Sequence, residues 1–150
     1  MVWECKTFDE LSNAELYSIL QLRNEEFVVE QNCPYQDADN KDLKSFHLMG
    51  RLGKDLAAYA RLLPAGVSYD EVSIGRVVTS PKHRRSGAGK ALMNEAIQRC
   101  NTLFGKQQIK LGAQLYLNRF YNNLGFERTS EVYLEDGIEH IEMLREADTQ

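Results

Sequence analysis

The sequence predicts an α/β chain of the α+β type, in which a central, mixed and mostly antiparallel sheet is flanked by helices. Three observations predict it. Short alternating segments crowd together at 46–52, 54–63 and 71–79, with β-branched Val72, Ile74, Val77 and Val78 in the third. Helical periodicity appears at 12–29 and again from 87 to 100, where Ala91, Leu92, Ala96 and Ile97 share one face. A basic, glycine-containing loop, Arg84-Arg85-Ser86-Gly87-Ala88-Gly89, stands between the third strand of that cluster and the second helix. No repeat or low-complexity tract interrupts this order.

Each element has its own justification. Residues 2–8 form an opening strand candidate. In 12–29, Leu16, Ile19, Leu20, Leu22 and Phe27 recur near helical spacing, Ser12 is a candidate N-cap and Glu15 holds the capping-box position; the helix is either single or broken in two. The polar stretch 30–45, with Pro34, Asp37, Asp39 and Asp42, reads as a long loop, and loops of that length inside small domains are functional or disordered. Strands 46–52 and 54–63 make a hairpin about Gly53-Lys54-Asp55. Residues 109–113 give another strand, 116–124 a short amphipathic helix ended by Gly125, and 131–144 a closing strand pair around Asp136-Gly137.

Length and composition bound the function. At 150 residues the chain is sized for one domain, 1–150, and 43% hydrophobic with 27% charged residues is ordinary for a soluble globular protein. A net charge of −4 argues against nucleic acid, which is bound through an excess of Lys and Arg. Three scattered cysteines, Cys5, Cys33 and Cys100, make neither a closed disulfide framework nor a Cys-x-x-Cys metal pair, so reduced thiols in a cytoplasm are expected. No stretch approaches the roughly 18 apolar residues of a membrane span, and the start lacks a basic-then-apolar order, so neither membrane nor secretion is expected.

The loop carries the chemistry. A helix start has backbone N–H groups without intrahelical partners and the positive end of the macrodipole, and Gly87 and Gly89 would let a pyrophosphate approach that backbone. Arg84 and Arg85 add charge and donors. Neither the Gly-x-x-x-x-Gly-Lys-Ser/Thr loop nor the Gly-x-Gly-x-x-Gly of a βαβ unit is present.

With Pro81 upstream and the run Arg84-x-x-Gly87-x-Gly89-Lys90-Ala91-Leu92-Met93, the sequence resembles the GNAT N-acetyltransferases. A second block, 113–126, ending Phe120-Tyr121-Asn122-Asn123-Leu124-Gly125-Phe126, is similar to that superfamily's other coenzyme A segment. The resemblance tightens towards its ElaA-like group through Phe27-Val28-Val29-Glu30-Gln31-Asn32-Cys33-Pro34-Tyr35, the Asp39–Asp42 pair, and Asp136-Gly137-Ile138-Glu139-His140-Ile141-Glu142-Met143. One departure is Arg85, where many such loops carry glycine.

The resemblance implies a GNAT fold and transfer of an acetyl group from acetyl-CoA, a cosubstrate used without a metal, to a primary amine. Val77, Val78 and Thr79 would offer backbone N–H groups to the acetyl carbonyl and the pantetheine arm, with Val78 on the carbonyl. Arg84, Arg85, Ser86, Gly87, Ala88, Gly89 and Lys90 would hold the phosphates, and Asn118 the pantetheine. Tyr121 would protonate the departing thiolate, suiting a phenol. The general base stays open among Glu71, Glu30, His47 and His140, with Glu71 and His140 carried as catalytic candidates. The cluster Asp37, Asp39 and Asp42 either attracts a cationic amine or is a solvated loop; a metal site from Cys33, Asp39 and His47 lacks compact ligand spacing. The partners expected are acetyl-CoA and an amine, with a homodimer allowed. Two rivals stand beside this reading: an acyl-homoserine-lactone-synthase-like enzyme, suggested by Leu22-Arg23-x-x-x-Phe27 before Asp39-x-x-Asp42, and a non-catalytic acyl-CoA-binding protein.

Overall fold

The computed structural model describes residues 1–84 and 87–149; the predicted ligand residues Arg85 and Ser86 lie outside the described residues. Eight strands form one sheet: β1 (Val2–Thr7), β2 (Phe46–Leu52), β3 (Asp55–Leu63), β4 (Val72–Thr79), β5 (Ile109–Gln114), β6 (Phe126–Arg128), β7 (Tyr133–Glu135) and β8 (Ile138–Arg145). Their order is β1-β2-β3-β4-β5-β8-β6, with β7 also on β8. Every pairing is antiparallel except β4 with β5. That exception follows from connectivity, because a parallel pair needs a crossover and α2 (Ala88–Phe104) supplies it.

Alternation along the strands feeds two cores. On β3, Ala58, Ala60 and Leu62 join the main core, where α2 buries Leu92, Met93, Ala96, Ile97 and Cys100. The intervening Tyr59 points to the other face, where Ile19 and Leu22 of α1 (Asn13–Arg23) pack with Met49 and Val78. Each large side chain buried this way stabilises the fold by about 1.5–3 kcal/mol.

On β4 the alternation breaks. Val72 and Ile74 belong to the main core, and so does the odd-numbered Val77, while Val78 belongs to the second core. The register explains the change: Tyr59 pairs with Val78 and Arg61 with Gly75, so β4 holds one extra residue, a β-bulge, with Arg76 at φ +50°.

The capping box at Ser12 and Glu15 forms as the sequence predicts, with Glu15 N–H donating to Ser12 Oγ at 3.1 Å and Ser12 N–H to Glu15 Oε1 at 2.8 Å. The first helix is broken: regular α-helix ends at Arg23 and a π-helical turn runs over Asn24–Glu30. The predicted loop contains a 3₁₀ turn, Lys41–Lys44; α2 runs a turn past Cys100; and the segment after β5 is a 3₁₀ turn, Leu115–Leu117, continued by α3 (Asn118–Asn122). Strand β6 was outside the prediction, being too short to show a period.

Candidate active site

The pairing of β4 with β5 covers only Val72 with Ile109 and Ser73 with Lys110. Beyond it the strands part. The β4 bulge and β5's commitment to β8 along its whole length leave an open wedge, the mouth of a cavity of about 430 Å³. Ile74 to Val77 line one side and Leu111 to Gln114 the other; the π-helical turn, the loop after it and the β7–β8 turn complete the wall.

Tyr121 lines this cavity although only 6% exposed. Its ring is held edge-on by Phe120 (centroids 5.0 Å, 76°) and Phe126 (6.0 Å, 78°). Burial, with Tyr116 adding to it, pushes the phenol up to about 12, so it stays a proton donor at neutral pH. Packing and placement in the cavity therefore belong to the same side chain.

Helix α2 opens beside the ring of Phe120. Gly87 precedes it in the left-handed region, φ +79°, which glycine adopts without penalty. The first helical bond is Ala91 N–H to Gly87 O at 3.1 Å, so the amides of Ala88, Gly89 and Lys90 have no partner within the helix. A Cβ at Gly89 would sit 3.7 Å from Phe120 Cζ, an ordinary contact, so packing does not demand glycine there. Asn118 Oδ1 is buried without a hydrogen-bond partner among the described residues. An orphaned acceptor, a glycine that packing does not require and a helix start are what a phosphorylated pantetheine would use.

The other predicted residues divide. Val77 lines the cavity, Val78 is buried opposite Tyr59, and Thr79 pairs with Ala58 on β3. Arg84 turns to the π-helical turn: Nη1 donates to Glu30 Oε1 at 2.5 Å, Nη2 to Glu30 Oε2 at 2.7 Å, and Nη2 also to Glu26. His140, on β8 opposite Gln114, lines the cavity; Nδ1 donates to Ile138 O at 2.8 Å, and Nε2 lies 3.4 Å from Glu135 Oε2. Glu71 is placed at the paired end of the wedge, outside the cavity lining.

His47 is fully buried elsewhere, its Nε2 donating to Asp42 O at 2.9 Å and its Nδ1 accepting from the Tyr59 hydroxyl at 2.7 Å. The acidic cluster is neither solvated nor free for an amine, since Asp37, Asp39 and Asp42 are ion-paired with Arg23, Arg61 and Arg76. Cys33 lines the cavity, Sγ donating to Asp136 O at 3.4 Å, and among the described residues no group suited to a metal is found.

Sequence reasoning passed over Glu26. It lines the cavity, and burial together with a hydrogen bond to Glu30 pushes its carboxyl up to about 7 against the pull of Arg84. The available signal was the like-charged Glu26–Glu30 pair at i,i+4, which is unfavourable unless a cation lies across it.

The fold is that of an acyltransferase. Residues 13–147 match the model of an acetyltransferase (GNAT) domain, and the chain belongs to the GNAT acetyltransferase family, in its ElaA-like group. It is 44% identical over 146 residues to the protein ElaA of Escherichia coli, covering 96% of this chain and 95% of that one. The crystal structure of E. coli ElaA superposes with a TM-score of 0.90 at 43% identity over 97% of this chain and 99% of that one. An acyl-CoA N-acyltransferase from Pseudomonas aeruginosa gives 0.91 at 45% identity, again over 97% and 99%. An aminoglycoside 6'-N-acetyltransferase complexed with coenzyme A shares the fold, with a TM-score of 0.74 at 15% identity over 100% of this chain and 99% of that one.

Proposed function

We propose that the protein transfers an acetyl group from acetyl-CoA to a primary amine of a small molecule or peptide, by direct attack. The observation that carries this is the wedge between β4 and β5 with the Tyr121 phenol lining it. Acetyl-CoA supplies the thioester. Amides of Gly87 to Lys90, with Arg85 and Ser86, hold its phosphates at the start of α2, while Arg84, its Nη1 and Nη2 taken up by Glu30 and Glu26, braces the π-helical turn instead; Asn118 accepts from the pantetheine arm.

Along the freed edge of β4, beyond its pairing with β5, backbone N–H groups of Val77 and Thr79 donate to the carbonyl oxygen, as it gains charge, and to the arm; Val78 is not the donor, because Ser80 N–H donates to Ala57 O at 2.8 Å and the alternation of an antiparallel pair then turns the Val78 N–H towards Tyr59 on β3. A C–N bond forms, the C–S bond breaks, and Tyr121 gives its proton to the sulfur. The attacking nitrogen's proton leaves through His140, whose Nδ1–H is fixed on Ile138 O so that Nε2 is the accepting nitrogen. Glu71 has no such access. Three unpaired thiols fit a reducing cytoplasm.

Thiol release from acetyl-CoA with a panel of amines and peptides tests the reading. Amine-dependent release is expected. None with any acceptor, in protein that acetyl-CoA still stabilises, would favour the non-catalytic acyl-CoA-binding protein.

A further inference from the structure

Among the described residues, Asn32, Asn40, Arg76 and Asp136 stand at positive φ without being glycine. Three of them carry the short polar side chain that tolerates this conformation. A long arginine at +50° inside a strand is the exception, and such a residue persists only where its surroundings impose the conformation. Its place in the fold is as particular as its backbone. Arg76 and Val77 together face Ala60 at the β4 bulge, where β4 has already parted from β5.

The surroundings that impose it lie on the long loop. Arg76 Nε donates to Asp37 Oδ1 at 2.8 Å and Nη2 to Asp37 O at 3.1 Å, a two-point grip, with Asp39 Oδ2 a further contact at 3.4 Å. The guanidinium also lies over the Tyr35 ring, 5.8 Å from its centroid, and the Tyr35 hydroxyl donates to the same Asp37 Oδ1 at 3.1 Å. Asp37 cannot follow a drifting arginine, because it is buried and ion-paired with the fully buried Arg23, Nε to Oδ2 at 2.8 Å. The grip is therefore rigid at its far end.

What the grip aims is the next amide. Ser80 N–H donates to Ala57 O, and strand alternation then turns Ala57 and Tyr59 towards β4 but Ala60 towards β2. Val77 N–H thus finds no acceptor at Ala60, and β5 pairs with β4 only at Val72 and Ser73. Its direction depends on the peptide linking it to Arg76, hence on the dihedrals that the guanidinium holds. Resting on the N-acetyltransferase reading, we propose that Arg76 is a positioning residue: pinned to Asp37, it keeps the bulge in the form that points Val77 N–H at the acetyl carbonyl oxygen. Glycine would fit the dihedral alone; arginine adds the clamp.

The test compares wild type with Arg76→Ala, which removes the clamp and keeps the penalty on positive φ, and with Arg76→Gly, which removes both. Turnover of acetyl-CoA, with whichever amine of the panel serves as acceptor, is measured well below each variant's melting temperature, so that stability does not enter. Arg76→Ala is expected to lower kcat by about 10²-fold, as for a lost oxyanion donor. KM for acetyl-CoA, and affinity for coenzyme A, which has no acyl carbonyl, should change by no more than about threefold. Arg76→Gly should recover about tenfold of the loss in kcat. A loss confined to KM, or kcat no better in Arg76→Gly than in Arg76→Ala, overturns the inference.

A second readout needs no acceptor. The infrared stretch of the carbonyl in bound, isotope-labelled acetyl-CoA moves to lower wavenumber when an N–H donates to it. That shift is expected in wild type, lost in Arg76→Ala and regained in part in Arg76→Gly. Should Arg76→Ala fail to fold, Arg76→Lys replaces it, keeping a cation beside Asp37 without the two-point grip, and should lose most of the shift. An equal shift in every variant overturns the inference even where turnover is intact. No turnover with any amine, with the shift and its dependence on Arg76 present, defeats the N-acetyltransferase reading alone; acetyl-CoA that does not bind defeats both.

Discussion

Arg61 of β3 and Asp39 of the long loop are joined by two parallel hydrogen bonds, Nη1 to Oδ1 at 2.8 Å and Nη2 to Oδ2 at 3.0 Å. The same Nη1 reaches Asp42 Oδ1 at 3.0 Å, and Asp42 accepts from Arg23 Nη1 at 2.8 Å. The loop that walls the cavity is thus riveted to strand and helix by charges that are themselves buried. Asp42→Asn should destabilise the fold by about 3–5 kcal/mol, because it leaves two guanidinium groups short of a counter-charge where water cannot replace it. Asp39→Asn, nearer the surface, should cost less. Urea unfolding of both checks this, and equal small losses would mean the network is incidental to stability.

Acid should act through a different pair of signs. Burial drives the His47 imidazole down despite the Asp42 carbonyl it donates to, so below about pH 6.5 the unfolded chain takes up a proton that the folded chain refuses. Burial pushes the Asp39 and Asp42 carboxyls up, but hydrogen bonds and ion pairs with Arg61, with Arg76 for Asp39 and with Arg23 for Asp42, more than reverse it; their contribution is present above about pH 3.9 and lost as pH falls further. Glu26, raised to about 7, has the opposite sign and stabilises as pH falls from there. Comparison with His47→Gln removes that shared background. The stability gap between wild type and the variant should narrow as pH drops below about 6.5, and a constant gap from pH 8 to 5 would contradict the burial argument.

The glycines of the helix start separate folding from binding. Gly87→Ala places a side chain at φ +79° and should cost about 1–2 kcal/mol. Gly89→Ala meets only ordinary contact with Phe120 and should be near neutral. Gly89→Asp sets a carboxylate against the phosphates. Saturating acetyl-CoA at about 100 times Kd should stabilise wild type by about 2.7 kcal/mol, and this gain should vanish in Gly89→Asp. An undiminished gain in that variant would move the phosphate site elsewhere.

What the sequence made legible was local. The capping box at Ser12, the order of strand, basic loop and helix around Gly87, and the position of Tyr121 near the end of a short helix all rest on neighbours within a few residues. The β4 bulge was not legible, because nothing near Arg76 asks for a positive φ; what holds it there is Asp37 and Asp39, on a loop far back in the chain. Asp37 and Asp42 read as a solvated loop or an attractor for an amine for the same reason, since only Arg23, Arg61 and Arg76, scattered over three elements, make their burial tolerable. Glu26 was hidden because the π-helical turn shifts the face it presents.

The last prediction concerns Tyr121. Its hydroxyl has no hydrogen-bond partner among the described residues, while its ring is gripped by Phe120 and Phe126, so Tyr121→Phe removes only the oxygen and orphans nothing. Melting temperature and acetyl-CoA affinity should therefore hold. If the phenol protonates the departing sulfur, turnover with a verified amine should fall by about 10²–10⁴-fold, corresponding to about 3–5 kcal/mol of transition-state stabilisation. Because burial keeps the phenol protonated up to about 12, wild-type turnover should show no loss of this donor through the neutral and mildly alkaline range. A thioester with a more acidic thiol needs less help in leaving, so it should recover part of the lost rate in the variant and change wild type little. Wild-type turnover in Tyr121→Phe would return the residue to a packing role and leave water in the cavity to protonate the sulfur.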